Sequence, residues 1–68
     1  MDPLLKALEE TLVGVTLDFA SEECIKNNMK LRVVVFDGKP LIITRDYNAK
    51  RINVCVKDNL ISEVRGIG

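Results

Sequence analysis

The sequence predicts an α+β fold in which a small sheet packs on one main helix, with a short helix before it. Three observations carry this reading. Leucines recur at helical spacing in Leu4, Leu5, Leu8 and Leu12, and a second apolar stripe follows at Leu17, Ala20 and Cys24. Arg51 to Lys57 alternates at strand spacing, with Ile52, Val54 and Val56 on one face and Asn53 and Cys55 on the other. Leu31 to Phe36 is a near-continuous apolar run, the mark of a central strand.

Each element has a local cause. Asp2 before Pro3 is an N-cap followed by proline at the first helical position, and the leucine stripe then fades before Gly14. Thr16 is a second N-cap, with Asp18 near the positive end of the helix dipole. Glu22, Glu23 and Lys26 lie mostly off the apolar face, and Asn27-Asn28 is the expected stop. In the first strand Val33 and Val35 are expected on one face, Arg32 and Val34 on the other. Asp37-Gly38 ends that strand. Asp58-Asn59 makes a tight turn after Lys57, and Leu60 to Val64 forms the last strand.

With 68 residues the chain is one domain, 1–68, too small to bury more than a modest core. Its ten basic and ten acidic residues cancel, so no global field draws it to nucleic acid or to an anionic membrane. Phe19, Phe36 and Tyr47 are too few aromatics for a base-stacking platform, and no apolar run is long enough to span a bilayer. The start, Met1-Asp2-Pro3, lacks the pattern of an export signal. The protein is expected inside the cell if Met1 is the native start, and outside it if the chain is a mature form. Cys24 and Cys55 match no zinc or redox spacing, and two buried thiols acting as small hydrophobes are favoured over a disulfide.

The chain has no histidine, which removes the usual general base, every Ser-His or Cys-His pair, and most zinc and copper sites. Glu9-Glu10 and Glu22-Glu23 are adjacent in sequence, so their side chains diverge around a helix as solvated faces. Gly38 stands alone, so no phosphate-cradling loop is present. Lys50-Arg51 and Lys30/Arg32 are minor basic spots on the surface. No catalytic residue, metal or cofactor is expected, and the protein is not expected to be an enzyme. A binding role is what remains.

One stretch fits no ordinary element. Gly38 to Arg51 holds a β-branched, apolar core, Leu41-Ile42-Ile43-Thr44, that runs directly into Arg45, Asp46, Asn48 and Lys50. Composition and periodicity alone make Ile42 to Tyr47 the edge strand of a long hairpin, with Arg45 simply exposed.

Thr44-Arg45-Asp46-Tyr47, with Arg51 six residues past Arg45, resembles the reactive loop of the potato inhibitor I family of serine protease inhibitors. Leu12-Val13-Gly14, the helix start at Thr16, the strand Arg32 to Val35 and the ending Gly66-Ile67-Gly68 fall in the same order as in that family. The Arg51-Ile52-Asn53-Val54 run and a helical segment before Leu12 are similar to the fungal and bacterial elastase-inhibitor branch of the fold. The terminal cysteines of the fungal relatives are absent.

The resemblance implies a mixed sheet and a projecting, extended reactive loop over about residues 38–50. It implies a monomer that inhibits a trypsin-like or subtilisin-like serine protease by the substrate-like mechanism. Arg45-Asp46 would be the reactive-site bond, and Arg45 would set trypsin-like specificity. Ile42, Ile43, Thr44 and Tyr47 would be loop contacts, and Arg51 and Asn53 would support the loop from below. The alternative is an intracellular interaction module that binds a non-protease partner through the same loop. Retention of Thr44, Asp46 and Arg51 together favours the inhibitor.

Overall fold

The computed structural model of the protein describes residues 3–68, and their side chains from Lys6 onward. Asp2, the expected first N-cap, lies outside the described residues, as do the side chains of Leu4 and Leu5. Helix α1 spans Pro3–Leu12 and α2 spans Leu17–Lys26, ten residues each. The strands are β1 (Lys30–Phe36), β2 (Lys39–Pro40), β3 (Arg51–Lys57) and β4 (Leu60–Ile67). They form one sheet in the order β2-β1-β3-β4, with β1 and β3 parallel and the other neighbours antiparallel. The architecture is thus α+β with a small mixed sheet.

Local chemistry accounts for the helix ends. Thr16 sits in the extended region, and its hydroxyl accepts from the Phe19 amide at 3.2 Å. At the other end Asn28 takes a positive φ of 57°, the Asn28 amide donates to Ile25, and the Met29 amide donates to Cys24. That pair of bonds is a Schellman motif with asparagine in the left-handed position. After α1, Gly14 turns at φ 90°, donates to Ile61 at 2.8 Å, and lets Val15 accept from the Ile61 amide. The link between the helices thereby covers the start of β4's outer edge, where Thr16 bridges to Leu60.

Both hairpins close through two residues of positive φ, Asp37-Gly38 and Asp58-Asn59. Turns of that hand match the twist of the strands they join. The Asp58 amide also donates to Asp37 Oδ1 at 3.0 Å, tying the two turns together.

The core lies between the helices and one face of the sheet: Leu12, Ala20, Cys24, Ile52, Val54, Val56, Ile61 and Val64 are all buried. Strand β3 supplies three of these, because it has a full-length neighbour on each side. Strand β1 also lies inside the sheet, but its outer neighbour is only two residues long, and most of it stays half-buried. Val33 and Val35 do not share a face, contrary to the alternation expected. A bulge at Val34 places Val33 opposite Val54 and Val35 opposite Cys55, so the faces switch within the run. Strand β4 runs three residues beyond the expected end at Val64 and contains two register shifts of its own. The hairpin arm after Gly38 is a strand only as far as Pro40, so Ile42 to Tyr47 is not an edge strand.

Cys24 and Cys55 are free and buried. Cys24 has the apolar setting expected of it, and burial, followed by the nearby Glu23 charge, pushes its thiol pKa up. Cys55 does not. Its sulfur accepts from Arg65 Nε at 3.2 Å and its thiol donates to Glu63 Oε2 at 3.7 Å, on the sheet face away from the helices. Arg65 and Glu63 pair with each other and cap the thiol with charge instead of hydrocarbon.

Candidate functional site

Residues 41–48 belong to no helix or strand and stand outside the sheet. Their start is fixed by the Leu41 amide, which donates to Val34 at 2.9 Å. Their end is fixed at Asn48, whose side chain accepts from the Lys50 amide at 2.9 Å and whose carbonyl accepts from Arg51. Between these anchors no residue has a positive φ. Ile42, Ile43 and Thr44 are β-branched, and that restricts the backbone without glycine or proline. The segment is a loop with a strand's stiffness.

Two arginines hold its middle. Arg51, at the start of β3, spreads its guanidinium between the loop and the chain end. Nη2 donates to the main-chain oxygen of Asp46 at 2.8 Å, Nη1 pairs with Asp46 Oδ2 at 3.4 Å, and Nε donates to the main-chain oxygen of Gly68 at 2.8 Å. Its side chain is only 14% exposed, against 60% for Asp46, so one partner of the ion pair is well shielded from water.

Arg32 lies on β1 and reaches the loop from the other side. Its Nη1 donates to the main-chain oxygen of Thr44 at 3.2 Å and lies 3.4 Å from the Thr44 hydroxyl. Its Nε donates to Asn53 Oδ1 at 2.8 Å, and Nη2 reaches Gly68 at 3.4 Å. Asn53 Nδ2 donates to the same Gly68 oxygen at 3.3 Å. Asn53 therefore makes no hydrogen bond to the loop. It orients Arg32, which does. The Thr44 carbonyl side is held by Arg32 and not by Arg51.

The two tied residues also meet each other, through a hydrogen bond from the Thr44 hydroxyl to Asp46 Oδ1. That bond, helped by Asp46's own amide and by Arg51, holds the Asp46 carboxyl below the usual carboxylate range. Thr44 and Asp46 are thus fixed to the body and to one another across Arg45. Arg45 itself is exposed and makes no hydrogen bond or ion pair among the described residues.

The remaining loop side chains face water. Ile42 is fully solvated, Tyr47 is 75% exposed, and Ile43 and Leu41 are half-covered. A Cβ built on Gly68 would come within 3.8 Å of the Tyr47 ring, so the tyrosine stands beside the chain end. An open space of about 570 Å³ separates loop from sheet, with Arg32, Asn53 and Gly68 on its inner wall.

Arg32 is the residue that sequence reasoning missed. It was an ordinary basic spot on a strand, and its link to Thr44 spans twelve residues with no local pattern. The available signal was its neighbour: Asn53 sits directly opposite Arg32 in the β1–β3 register, where an amide can aim a guanidinium. No group of side chains among the described residues could hold a metal ion, and no described helix is long and apolar enough to cross a membrane. Compared with protein-family models, with curated proteins and with solved structures, the chain matches none.

Proposed function

We propose that the protein is a serine protease inhibitor that presents Arg45-Asp46 as a substrate-like bond. The observation that carries this reading is the division of labour at the loop's centre: Thr44 and Asp46 are tied down by Arg32 and Arg51, and Arg45 between them is free. A peptide recognised in a protease cleft must be extended and must expose its primary side chain. It gains affinity if it is already held that way, because less freedom is lost on binding. The free guanidinium suits a pocket with a carboxylate at its floor, which makes the partner trypsin-like.

The same struts explain why such a bond would be a poor substrate. Hydrolysis turns Asp46 into a new N-terminus, yet Arg51 still grips its carboxylate and its main-chain oxygen. On the other side Arg32 still grips Thr44, next to the new Arg45 carboxyl end. The two ends remain close, and resealing competes with release.

The test is a titration of trypsin, chymotrypsin, elastase and subtilisin with the folded protein. Trypsin is inhibited well below micromolar concentration, chymotrypsin and elastase weakly, and Arg45→Met moves the preference toward subtilisin. A folded protein that leaves all four enzymes active at micromolar concentration removes the inhibitor reading, and the loop then serves a non-protease partner.

A further inference from the structure

We infer that the cleft between the two helices is a second binding site, and that it takes a small primary amine with an apolar body. The cleft lies on the helix side of the sheet, whereas Arg32 and Asn53 brace the loop from the other face. The two places share no lining residue, so this inference goes beyond the inhibitor reading and does not depend on it.

Among the described residues the cleft has a volume of about 490 Å³. Ligand sites span roughly 300–1,000 Å³, and an apolar cavity of about 150 Å³ already takes benzene. The floor is the core itself, at Leu12, Cys24 and Ile52, each at most 3% exposed. Leu8 on α1 and Met29 after α2 pack partly buried against that core and form apolar walls. Hydrocarbon on floor and walls suits water poorly, since an ordered water needs about two to four polar partners. The body of the occupant is therefore apolar.

The rim decides its polar end. Thr11, Glu23 and Asn27 are the polar residues that line the cleft, and what they have left to offer is mainly acceptor oxygen. The Thr11 hydroxyl already donates to the Ala7 carbonyl at 3.0 Å, and the Asn27 side-chain nitrogen donates to the Glu23 carbonyl at 2.8 Å. The Glu23 carboxylate has one cationic partner among the described residues, Lys26, at 3.5 Å and 71% exposed. Such a loose, solvated pair contributes little. The Glu23 side chain is only 30% exposed, so its charge is partly withdrawn from water beside hydrocarbon. An ammonium group brings three donors and no acceptor, and so matches this rim. A carboxylate would meet Glu23 with like charge, and a hydroxyl can serve only one of the acceptors.

The experiment follows the backbone amide resonances of the folded protein as benzylamine, benzyl alcohol or benzoate is added at neutral pH. The three probes share a ring and differ in the charge of the polar end. Benzylamine is expected to shift Leu8, Glu23, Asn27, Met29 and Ile52 saturably and to leave residues 44–47 in place. Benzyl alcohol binds the same residues about five- to tenfold more weakly, the loss expected when a charge-assisted hydrogen bond becomes a neutral one. Benzoate does not bind. Glu23→Gln gives up only the loose Lys26 contact, so it keeps the fold, which circular dichroism verifies, and it erases the preference for the amine. The inference is overturned if benzylamine does not saturate, if amine and alcohol bind equally, or if Glu23→Gln still prefers the amine. Shifts confined to Asp46 and its neighbours overturn it as well, because the cation then sits at the loop. The trypsin titration reports on the loop alone, so either reading can fail without the other.

Discussion

Arg32 on β1 and Asn53 on β3 lie opposite each other across the parallel pair, and the Arg32 Nε bond to Asn53 Oδ1, at 2.8 Å, is as short as any that Arg51 makes to the loop. The loop is consequently held from two strands. Arg51 takes the side of Asp46 and Arg32 the side of Thr44, and both guanidinium groups share the main-chain oxygen of Gly68.

Removing Arg51 tests the grip on Asp46. Arg51→Ala is expected to weaken inhibition by about 1.5–3 kcal/mol, the range for hydrogen bonds to charged groups. The variant also becomes a substrate, so that inhibition fades as Arg45-Asp46 is cleaved. Mass spectrometry of a trypsin incubation reads this directly, and a variant that stays intact and fully inhibitory rules the strut out.

The Arg32–Asn53 arrangement makes a sharper claim. Arg32→Ala is expected to cost about 1–3 kcal/mol in inhibition through the lost Thr44 bond. Asn53→Ala costs less, and it acts mainly through Arg32, so the double variant is little worse than Arg32→Ala alone. A double-mutant cycle on inhibition constants measures that coupling, expected within about 0.5–3 kcal/mol. Additive effects would mean that Asn53 supports the loop independently.

Asp46 gives the loop a pH dependence with a defined sign. Its carboxyl is held below the ordinary range by the Thr44 hydroxyl first, with its own amide and Arg51 adding to the shift. The charged form is therefore favoured in the native loop. This contribution is fully present above the unfolded pKa, about 4, and is lost as pH falls through the lowered native value. Proton chemical shifts of residues 44–46 should stay constant from neutral pH down to about pH 4 and change only below it. Asp46→Asn removes the transition, and a transition that persists in that variant excludes Asp46 as its source.

The two thiols differ in a way that labelling can resolve. Cys24 is enclosed by apolar side chains and its pKa is raised, so it reacts only when α2 opens. Cys55 is covered by Arg65 and Glu63, whose side chains are both 55% exposed and can swing aside without unfolding. A native protein treated with a chromogenic disulfide should label in two phases, with Cys55 first. Cys24→Ser should cost about 1–3 kcal/mol of stability, since it buries a hydroxyl without an assured partner. A single phase that tracks global unfolding would contradict this contrast.

The parts of the fold governed by nearby residues were legible in the sequence. Thr16, the Asn27-Asn28 stop and the Asp58-Asn59 turn are decided within four or five residues, and the alternation of Ile52, Val54 and Val56 needs only the strand's own period. What escaped depends on register. The bulge at Val34 lies in a run of three valines, where no polar residue marks the change of face. Cys55 reads as one more apolar position until the shifted register of β4 brings Glu63 and Arg65 over it. The extension of β4 past Val64 passes through Gly66, a poor strand former. At the candidate site, the resemblance directed attention to Arg51 beside Asp46, whereas Arg32 reaches Thr44 only because two parallel strands set it next to Asn53.

Tyr47 is the chain's one tyrosine, and the chain has no tryptophan. Apart from the weak emission of Phe19 and Phe36, the intrinsic near-ultraviolet fluorescence of this protein consequently comes from one ring, mounted on the loop and resting near Gly68. Helix and sheet contribute no comparable signal. Emission intensity and anisotropy thus isolate the behaviour of the loop from that of the body, so that occupancy or severing of the loop can be followed in real time with no dye attached.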